Sequence, residues 1–173
     1  MRRCPAFLLL ITQNRLLCLF DLASIEDMGY PEPLDRFEVK GKPGFVFKME
    51  NLMSMIDSLT TCKFMLFCSL TLKQLTKELN LITGFEISEK DFLKTGERIF
   101  NLKRLYNIKC GITKKDDILP PRFLTPKEGT GEDDNVSPPF EIMLEEYYKL
   151  RGWDENGVPK NIKVEELDLK EYN

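Results

Sequence analysis

An aspartate and a cysteine in one short segment, Asp57 and Cys62, are the side chains of this sequence best suited to cofactor chemistry. A carboxylate accepts hydrogen bonds, and a thiolate binds iron or zinc. One thiolate is too few for either metal, because clusters and structural zinc sites usually take about four such ligands. The chain has no histidine, and its other cysteines lack metal-motif spacing. Cys62 is therefore either an ordinary buried thiol or one ligand of a site completed from elsewhere.

The composition is that of a globular protein without a strong excess of either charge. The 173 residues suffice for one domain or two small ones. A net charge of −3 argues against binding to nucleic acid through phosphate contacts. Five cysteines without regular spacing fit a reducing compartment. Because no apolar run is long enough to span a bilayer, we expect a cytoplasmic protein that binds neither nucleic acid nor membrane.

The spacing of apolar residues predicts a mainly α fold with no substantial sheet. A first helix is predicted from Phe45 to Ile56, where apolar residues recur every three or four positions. This helix would deliver Asp57 and Cys62 at or just beyond its end. The segment before it, residues 29–44, is rich in proline and glycine and is predicted to be an extended connector.

Further helices are predicted along the chain, most of them with a recognisable start or stop. The second helix is predicted at about residues 71–82 and ends before Gly84. The third begins at Ser88, which forms a capping box with Asp91, and ends before Gly111. The last two are predicted at about 140–151, before Gly152, and at 162–171. A proline-rich surface loop is predicted at about 112–138. The apolar stripes predicted to face inward include Ile82, Tyr106, Ile142 and Leu150, and Cys110 is predicted to be a core thiol.

Several aromatic and cationic side chains are predicted to have structural roles. Tyr147, Tyr148 and Trp153 are predicted to pack in the core rather than to relay electrons. Arg98, Arg104 and Arg122 are predicted to lie on a solvated face with partners four residues away, rather than to form an anion site.

Several motifs, taken in order, resemble the C-terminal part of the aldehyde ferredoxin oxidoreductases, which are tungsten-pterin enzymes with a nearby 4Fe–4S cluster. The resemblance covers roughly Gly29 to Leu169, and its most specific piece runs from the tyrosine pair to the Gly-Trp-Asp triplet. The motifs lie at residues 29–37, 57–64, 96–104, 116–123 and 145–159.

The resemblance implies a role for the segment from Asp57 to Lys63. In the family, an Asp-x-x-Gly-Leu-Cys pattern supplies the last cluster ligand and an aspartate that contacts tungstopterin. Cys62 is thus implied to be a metal ligand and Asp57 a cofactor ligand, with Thr61 and Lys63 as weaker cofactor contacts. Thr60 and Thr61 replace the family's Gly-Leu, which removes the close backbone approach that glycine permits. No catalytic residue is implied.

The resemblance also implies the oxidation of an aldehyde to a carboxylate, with electrons passing through the cluster to ferredoxin. The family's remaining cluster ligands and its β-rich pterin-binding domain have no counterpart in this sequence. We therefore expect part of a site, inactive alone and completed by a chain that carries the missing N-terminal domains. The sequence identifies neither the aldehyde nor tungsten over molybdenum.

The same resemblance divides the chain into two parts. Residues 29–173 are predicted to form the helical oxidoreductase domain. Residues 1–28 are apolar, match none of the motifs, and are expected to come from a truncated or frame-shifted reading frame or from a divergent extension. The competing interpretation is a non-enzymatic helical interaction module, or remnant, that binds a partner protein.

Overall fold

The computed structural model describes residues 39–62, 70–121 and 139–172, together with Gly29 and Met65. Within these residues the regular secondary structure is helical, which confirms the mainly α fold. The described residues also include an isolated antiparallel β-bridge between Trp153 and Pro159. The helices are α1 (Lys42–Ser58), α2 (Leu72–Thr83), α3 (Glu89–Lys109), α4 (Phe140–Arg151) and α5 (Asn161–Glu166), with 3-10 turns at Lys114–Asp116 and Lys170–Tyr172.

Helix α1 lies at the centre of the fold and packs against both α3 and α4. It begins at Lys42, slightly before the predicted start, with Pro43 in its first turn, where a missing N–H costs nothing. Burying each large apolar side chain contributes about 1.5–3 kcal/mol, so the two-sided burial of α1 makes it the best-anchored helix described. One side packs Phe45, Met49, Leu52, Met55 and Ile56 against α2 and α3, and the other packs Val46 against α4 and Trp153.

Helices α1 and α3 cross at a glycine. A Cβ atom placed on Gly96 would overlap the backbone carbonyl of Asn51 in α1. Because that carbonyl belongs to the helix backbone, it cannot swing aside as a flexible side chain would. The absence of a side chain at position 96 therefore sets how closely the two helices approach each other.

The predicted ends of α2, α3 and α4 are confirmed. Thr71 forms a capping box with Gln74 at the start of α2, and Ser88 forms one with Asp91 at the start of α3. Gly84 and Gly152 end α2 and α4 in the left-handed conformation that favours glycine. The predicted terminal helix is shorter than expected, since α5 ends at residue 166 and a 3-10 turn follows at 170–172.

Several residues predicted to be buried are exposed instead, namely Ile82, Tyr106, Ile142, Leu150 and Cys110. The buried face of α3 includes several polar residues, and the buried face of α4 includes Arg151. A prediction from apolar spacing alone therefore assigns a neighbouring face of each helix to the core. Helix α2 contributes fully buried residues only from its first half, which leaves its far end outside the core.

Some predictions fall outside the described residues. These are the segment 1–28, most of the connector at 29–44, and the greater part of the proline-rich loop at 112–138. The division of the chain near residue 28 therefore stays a prediction. Among the described residues, no helix is both long and apolar enough to cross a membrane.

Candidate functional site

The Asp57–Cys62 segment forms the C-terminal turn of α1. The Thr60 N–H donates to the Asp57 carbonyl at 3.3 Å, and the Thr61 N–H donates to the Ile56 carbonyl at 3.2 Å. This pair of bonds defines a Schellman motif, in which the residue at the C′ position takes up the left-handed conformation. Thr60 occupies that position, and the prediction that Asp57 and Cys62 lie at or just past the helix end is confirmed.

Thr60 is a β-branched residue in a backbone conformation that usually belongs to glycine. Its φ is +56°, and such an outlier costs on the order of 1–3 kcal/mol. In the resembling pattern a glycine stands at this position. The geometry gives that glycine a role within the turn itself, because the Schellman motif requires a positive φ there whether or not a ligand approaches.

The side chains of this turn face outward. Asp57 and Cys62 are exposed, and Thr61 is half-buried. Exposure of Cys62 does not fit its interpretation as an ordinary buried thiol. Lys63 lies outside the described residues, so its predicted place beside the others is not described.

The donor atoms of the turn suit part of a metal site. In the described part of the chain, no group of three or more Cys, His, Asp or Glu residues is arranged to hold a metal ion. The turn offers one thiol and one carboxylate, and both side chains are exposed. This set fits the contribution of a single ligand to a shared cluster, since a complete iron–sulfur cluster usually takes about four thiolates.

Sequence reasoning missed a buried cluster of polar side chains centred on Arg151, at the end of α4. Its Nη2 lies 2.8 Å from Glu50 Oε2 and donates to the Phe47 carbonyl at 3.3 Å. Its Nη1 donates to Asn51 Oδ1 at 2.6 Å, and its Nε donates to the Tyr147 hydroxyl at 2.8 Å. The Tyr147 hydroxyl in turn donates a short hydrogen bond to Glu50. The guanidinium therefore has all its polar partners inside the core.

Aromatic rings surround the same guanidinium. Its carbon lies 4.0 Å from the Phe100 ring centroid and 4.5 Å from that of Phe47, within cation–π range. Burial raises the pKa of Glu50, whereas Arg151 and the hydrogen bond from Tyr147 act to lower it. Burial also raises the pKa of Tyr147 well above its usual range, so this hydroxyl stays protonated and remains a donor.

A second buried pair joins Arg104 of α3 to Asp117. Two hydrogen bonds of 3.1 and 2.7 Å connect the guanidinium to the carboxylate. Arg104 Nε also donates to the Gly157 carbonyl at 2.8 Å, and the Tyr148 hydroxyl donates to Asp117 at 2.6 Å. The prediction of a solvated face is therefore wrong for Arg104, because its partners lie outside α3. Arg98 is half-exposed and pairs with Asp168, not with a residue one turn away.

The predicted packing roles of Tyr147, Tyr148 and Trp153 are confirmed, since all three are buried and in mutual ring contact. The Trp153 Nε1 donates to Asn101 at 2.7 Å, and the Arg104 guanidinium lies 4.8 Å from its ring centroid. Residues of the motifs at 96–104, 116–121 and 145–159 thus contribute to the buried core.

Comparison with known proteins relates this arrangement to one family. Residues 8–169 match the family model described as aldehyde ferredoxin oxidoreductase, domains 2 and 3; the match begins before Gly29, where the motifs quoted above start. The tungsten-containing aldehyde ferredoxin oxidoreductase of Pyrococcus horikoshii is 37% identical over 153 residues, which are 87% of this chain and 25% of that relative. The aliphatic sulfonate oxidoreductase, WOR-like subunit, of Pyrococcus furiosus is 34% identical over 53% of this chain and 16% of that relative.

A solved structure shares the fold. A chain of the active site complex BamBC of benzoyl coenzyme A reductase, in complex with 1,5-dienoyl-CoA, superposes with a TM-score of 0.66 at 19% identity, over 93% of this chain and 26% of that one. This chain spans about a quarter of the length of the tungsten-containing relatives it matches. Since the family model matches nearly all of its residues, the chain belongs to the aldehyde ferredoxin oxidoreductase family.

Proposed function

We propose that this chain supplies one cluster ligand and part of the pterin contacts of a tungsten-pterin aldehyde:ferredoxin oxidoreductase, whose N-terminal domains complete the site. The observation that carries the proposal is the position of Asp57 and Cys62. Both are exposed on a hydrogen-bonded turn that directly follows the most extensively buried helix. A rigid helix that presents an outward-facing thiol and carboxylate suits a ligand shared between domains.

Each residue of the turn has a proposed role. The Cys62 thiolate binds iron, and the Asp57 carboxylate accepts hydrogen bonds from amino and ring N–H groups of the pterin. Thr61 and Lys63 flank the cysteine and make weaker contacts to the cofactor. When bound, the tungstopterin and the 4Fe–4S cluster supply the oxidation of an aldehyde to a carboxylate and the transfer of electrons to ferredoxin. No residue of this chain is assigned a catalytic role.

The proposed partners follow from the family to which the chain belongs. The remaining cluster ligands and most of the cofactor site are proposed to come from the family's N-terminal domains. The related WOR-like protein is named as a subunit, which supports an assembly of more than one chain. Ferredoxin is the proposed electron acceptor of that assembly.

The test rebuilds the site around this chain. The chain replaces the matching quarter of the Pyrococcus horikoshii relative, and the hybrid is produced anaerobically with tungstate. Cys62→Ser is compared with Cys110→Ser, since both thiols are exposed at the end of a helix. We expect Cys62→Ser to lose iron and the paramagnetic signal of the reduced cluster, while Cys110→Ser keeps both. Equal iron content in the two variants would contradict the proposal.

An alternative function, a non-enzymatic module that binds a partner protein, is favoured by one surface feature. Leu81, Ile82 and Phe85, at the end of α2, are 74%, 84% and 59% exposed. Exposed apolar side chains that lie close together often mark a protein contact. If the hybrid assembles without iron even when unmutated, this alternative replaces the oxidoreductase proposal.

A further inference from the structure

We infer that Arg151 is a positioning residue, which from inside the core holds α1, and with it the Asp57–Cys62 turn, in a fixed place within the domain. The inference rests on the proposed function, because a fixed position matters most if the turn carries a ligand of a shared cofactor. Arg151 itself lies in the buried core at the end of α4 and is a residue of the packing rather than of the proposed site.

The guanidinium of Arg151 contacts one complete turn of α1. It bonds to the Phe47 carbonyl, the Glu50 carboxylate and the Asn51 side-chain oxygen. These residues are spaced by three and four positions and therefore lie on one face of the helix. Bonds to both backbone and side chains of a single turn restrain the rotation of α1 about its axis as well as its displacement.

The same turn of α1 is restrained from a second direction. The backbone carbonyl of Asn51 abuts α3 at Gly96, where no Cβ would fit. Asn51 is thus in contact with Arg151 through its side chain and with α3 through its backbone. A helix held at one residue by two different elements has little freedom to slide between them.

A continuous stretch of helix connects Asn51 to the Asp57–Cys62 turn. Asp57 follows Asn51 by less than two turns, a rise of about 9 Å at 1.5 Å per residue. Leu52, Met55 and Ile56, which lie between them, are all buried. Because this stretch is regular and packed, a shift of α1 at Asn51 moves the turn by a similar distance.

The second buried arginine provides a matched control. Arg104 is buried to nearly the same extent as Arg151 and is also paired with a buried carboxylate. Its polar partners are Asp117 and Gly157, neither of which belongs to α1. Loss of either arginine should weaken the core, but only the loss of Arg151 should release α1.

The first measurement is amide hydrogen exchange in the complete, isolated chain. Arg151→Lys keeps the charge but loses the planar fork, and Arg104→Lys does the same at the control pair. We expect the Thr60 and Thr61 amides to exchange about tenfold faster in Arg151→Lys, relative to amides at the centre of α3, and to be unchanged in Arg104→Lys. Equal acceleration in both variants would overturn the inference, because it would show a purely structural role.

A double substitution distinguishes the loss of positioning from general unfolding of the chain. In Glu50→Gln/Arg151→Met both charges are removed and the volumes are nearly kept, so the fold should survive. We expect the Thr60 and Thr61 amides still to exchange faster than in the unmodified chain. If this folded variant protects them as well as the unmodified chain does, Arg151 does not position the turn.

The second measurement uses the hybrid enzyme described above. We expect Arg151→Lys to shift the reduction potential or the paramagnetic signal of the cluster, and Arg104→Lys to leave both unchanged. If the unmodified hybrid forms no cluster, the proposed function fails, while the exchange experiment still decides whether Arg151 positions the turn. A cluster signal unaffected by Arg151→Lys would contradict the positioning role in the assembled site.

Discussion

At the scale of a single residue, Thr60 occupies a turn position that usually requires glycine, and the turn nevertheless forms. The Schellman bonds from Thr60 and Thr61 are intact, although the left-handed conformation disfavours a branched side chain. The packing of α1 must therefore supply the free energy that this strain costs. Strain of this kind is often found at sites where a ligand is held.

Thr60→Gly should raise the free energy of unfolding by about 1 kcal/mol, because relief of the left-handed strain outweighs the greater entropy of glycine in the unfolded chain. Urea unfolding of the isolated chain measures this difference. Thr61→Gly is the control, since Thr61 has no positive φ and should lose stability on the same change. A Thr60→Gly variant less stable than the unmodified chain would show that the turn does not strain Thr60.

The residues of the candidate site divide into those that local sequence predicts and those that it does not. The position of Asp57 and Cys62 at a helix end follows from apolar spacing over the preceding turns, which is a local property. The burial of Arg104 and Arg151 depends on carboxylates at positions 117 and 50, far away along the chain or outside the same helix. Periodicity contains no information about such partners.

At the scale of elements, the start of α3 illustrates a boundary that local chemistry determines. The Asp91 N–H donates to Ser88 Oγ at 3.2 Å, and the Ser88 N–H donates to Asp91 Oδ2 at 2.9 Å. The hydrogen bonds from Ser88 lower the pKa of Asp91 below its ordinary value of 3.8. Ionised Asp91 also lies favourably at the positive end of the helix dipole.

This pKa shift gives the stability of α3 a defined pH dependence. Since the pKa is lowered on folding, the stabilisation is fully present above the ordinary pKa and is lost as the pH falls through the folded-state value. Asp91→Asn should therefore be less stable than the unmodified chain at neutral pH, and the two should converge as the pH falls below the folded-state pKa of Asp91. Unfolding curves across this range provide the test. Glu86→Gln, outside the helix, serves as the control, and a difference that persists in acid would contradict this account.

The faces of the helices were harder to predict than their ends. Caps depend on residues within one turn, so Ser88, Gly84 and Gly152 sufficed to place them. The inward face of α3 instead includes Glu97 and Asn101, which are buried because other elements supply their partners: Lys163 Nζ lies 3.2 Å from Glu97 Oε1, and Trp153 donates to Asn101. Hydropathy assigns such polar residues to solvent.

At the scale of the whole molecule, the proposed function makes a prediction about the isolated chain. The isolated chain, purified anaerobically, should not reduce a viologen dye with an aldehyde as donor, because it offers Cys62 where a cluster usually needs about four thiolates. The unmodified hybrid enzyme, assayed in the same way, is the positive control. Turnover by the isolated chain would contradict the proposal that the cluster takes ligands from outside these residues.

The sole tryptophan of the sequence has a practical consequence for all of these measurements. Trp153 is buried, its indole N–H is bonded to Asn101 in α3, and its ring contacts Tyr147 and Tyr148 of α4. Its fluorescence emission therefore comes from a single environment shared by two helices. When α3 and α4 separate, water reaches the indole and the emission shifts to longer wavelength, so the chain carries an intrinsic optical probe of its own core.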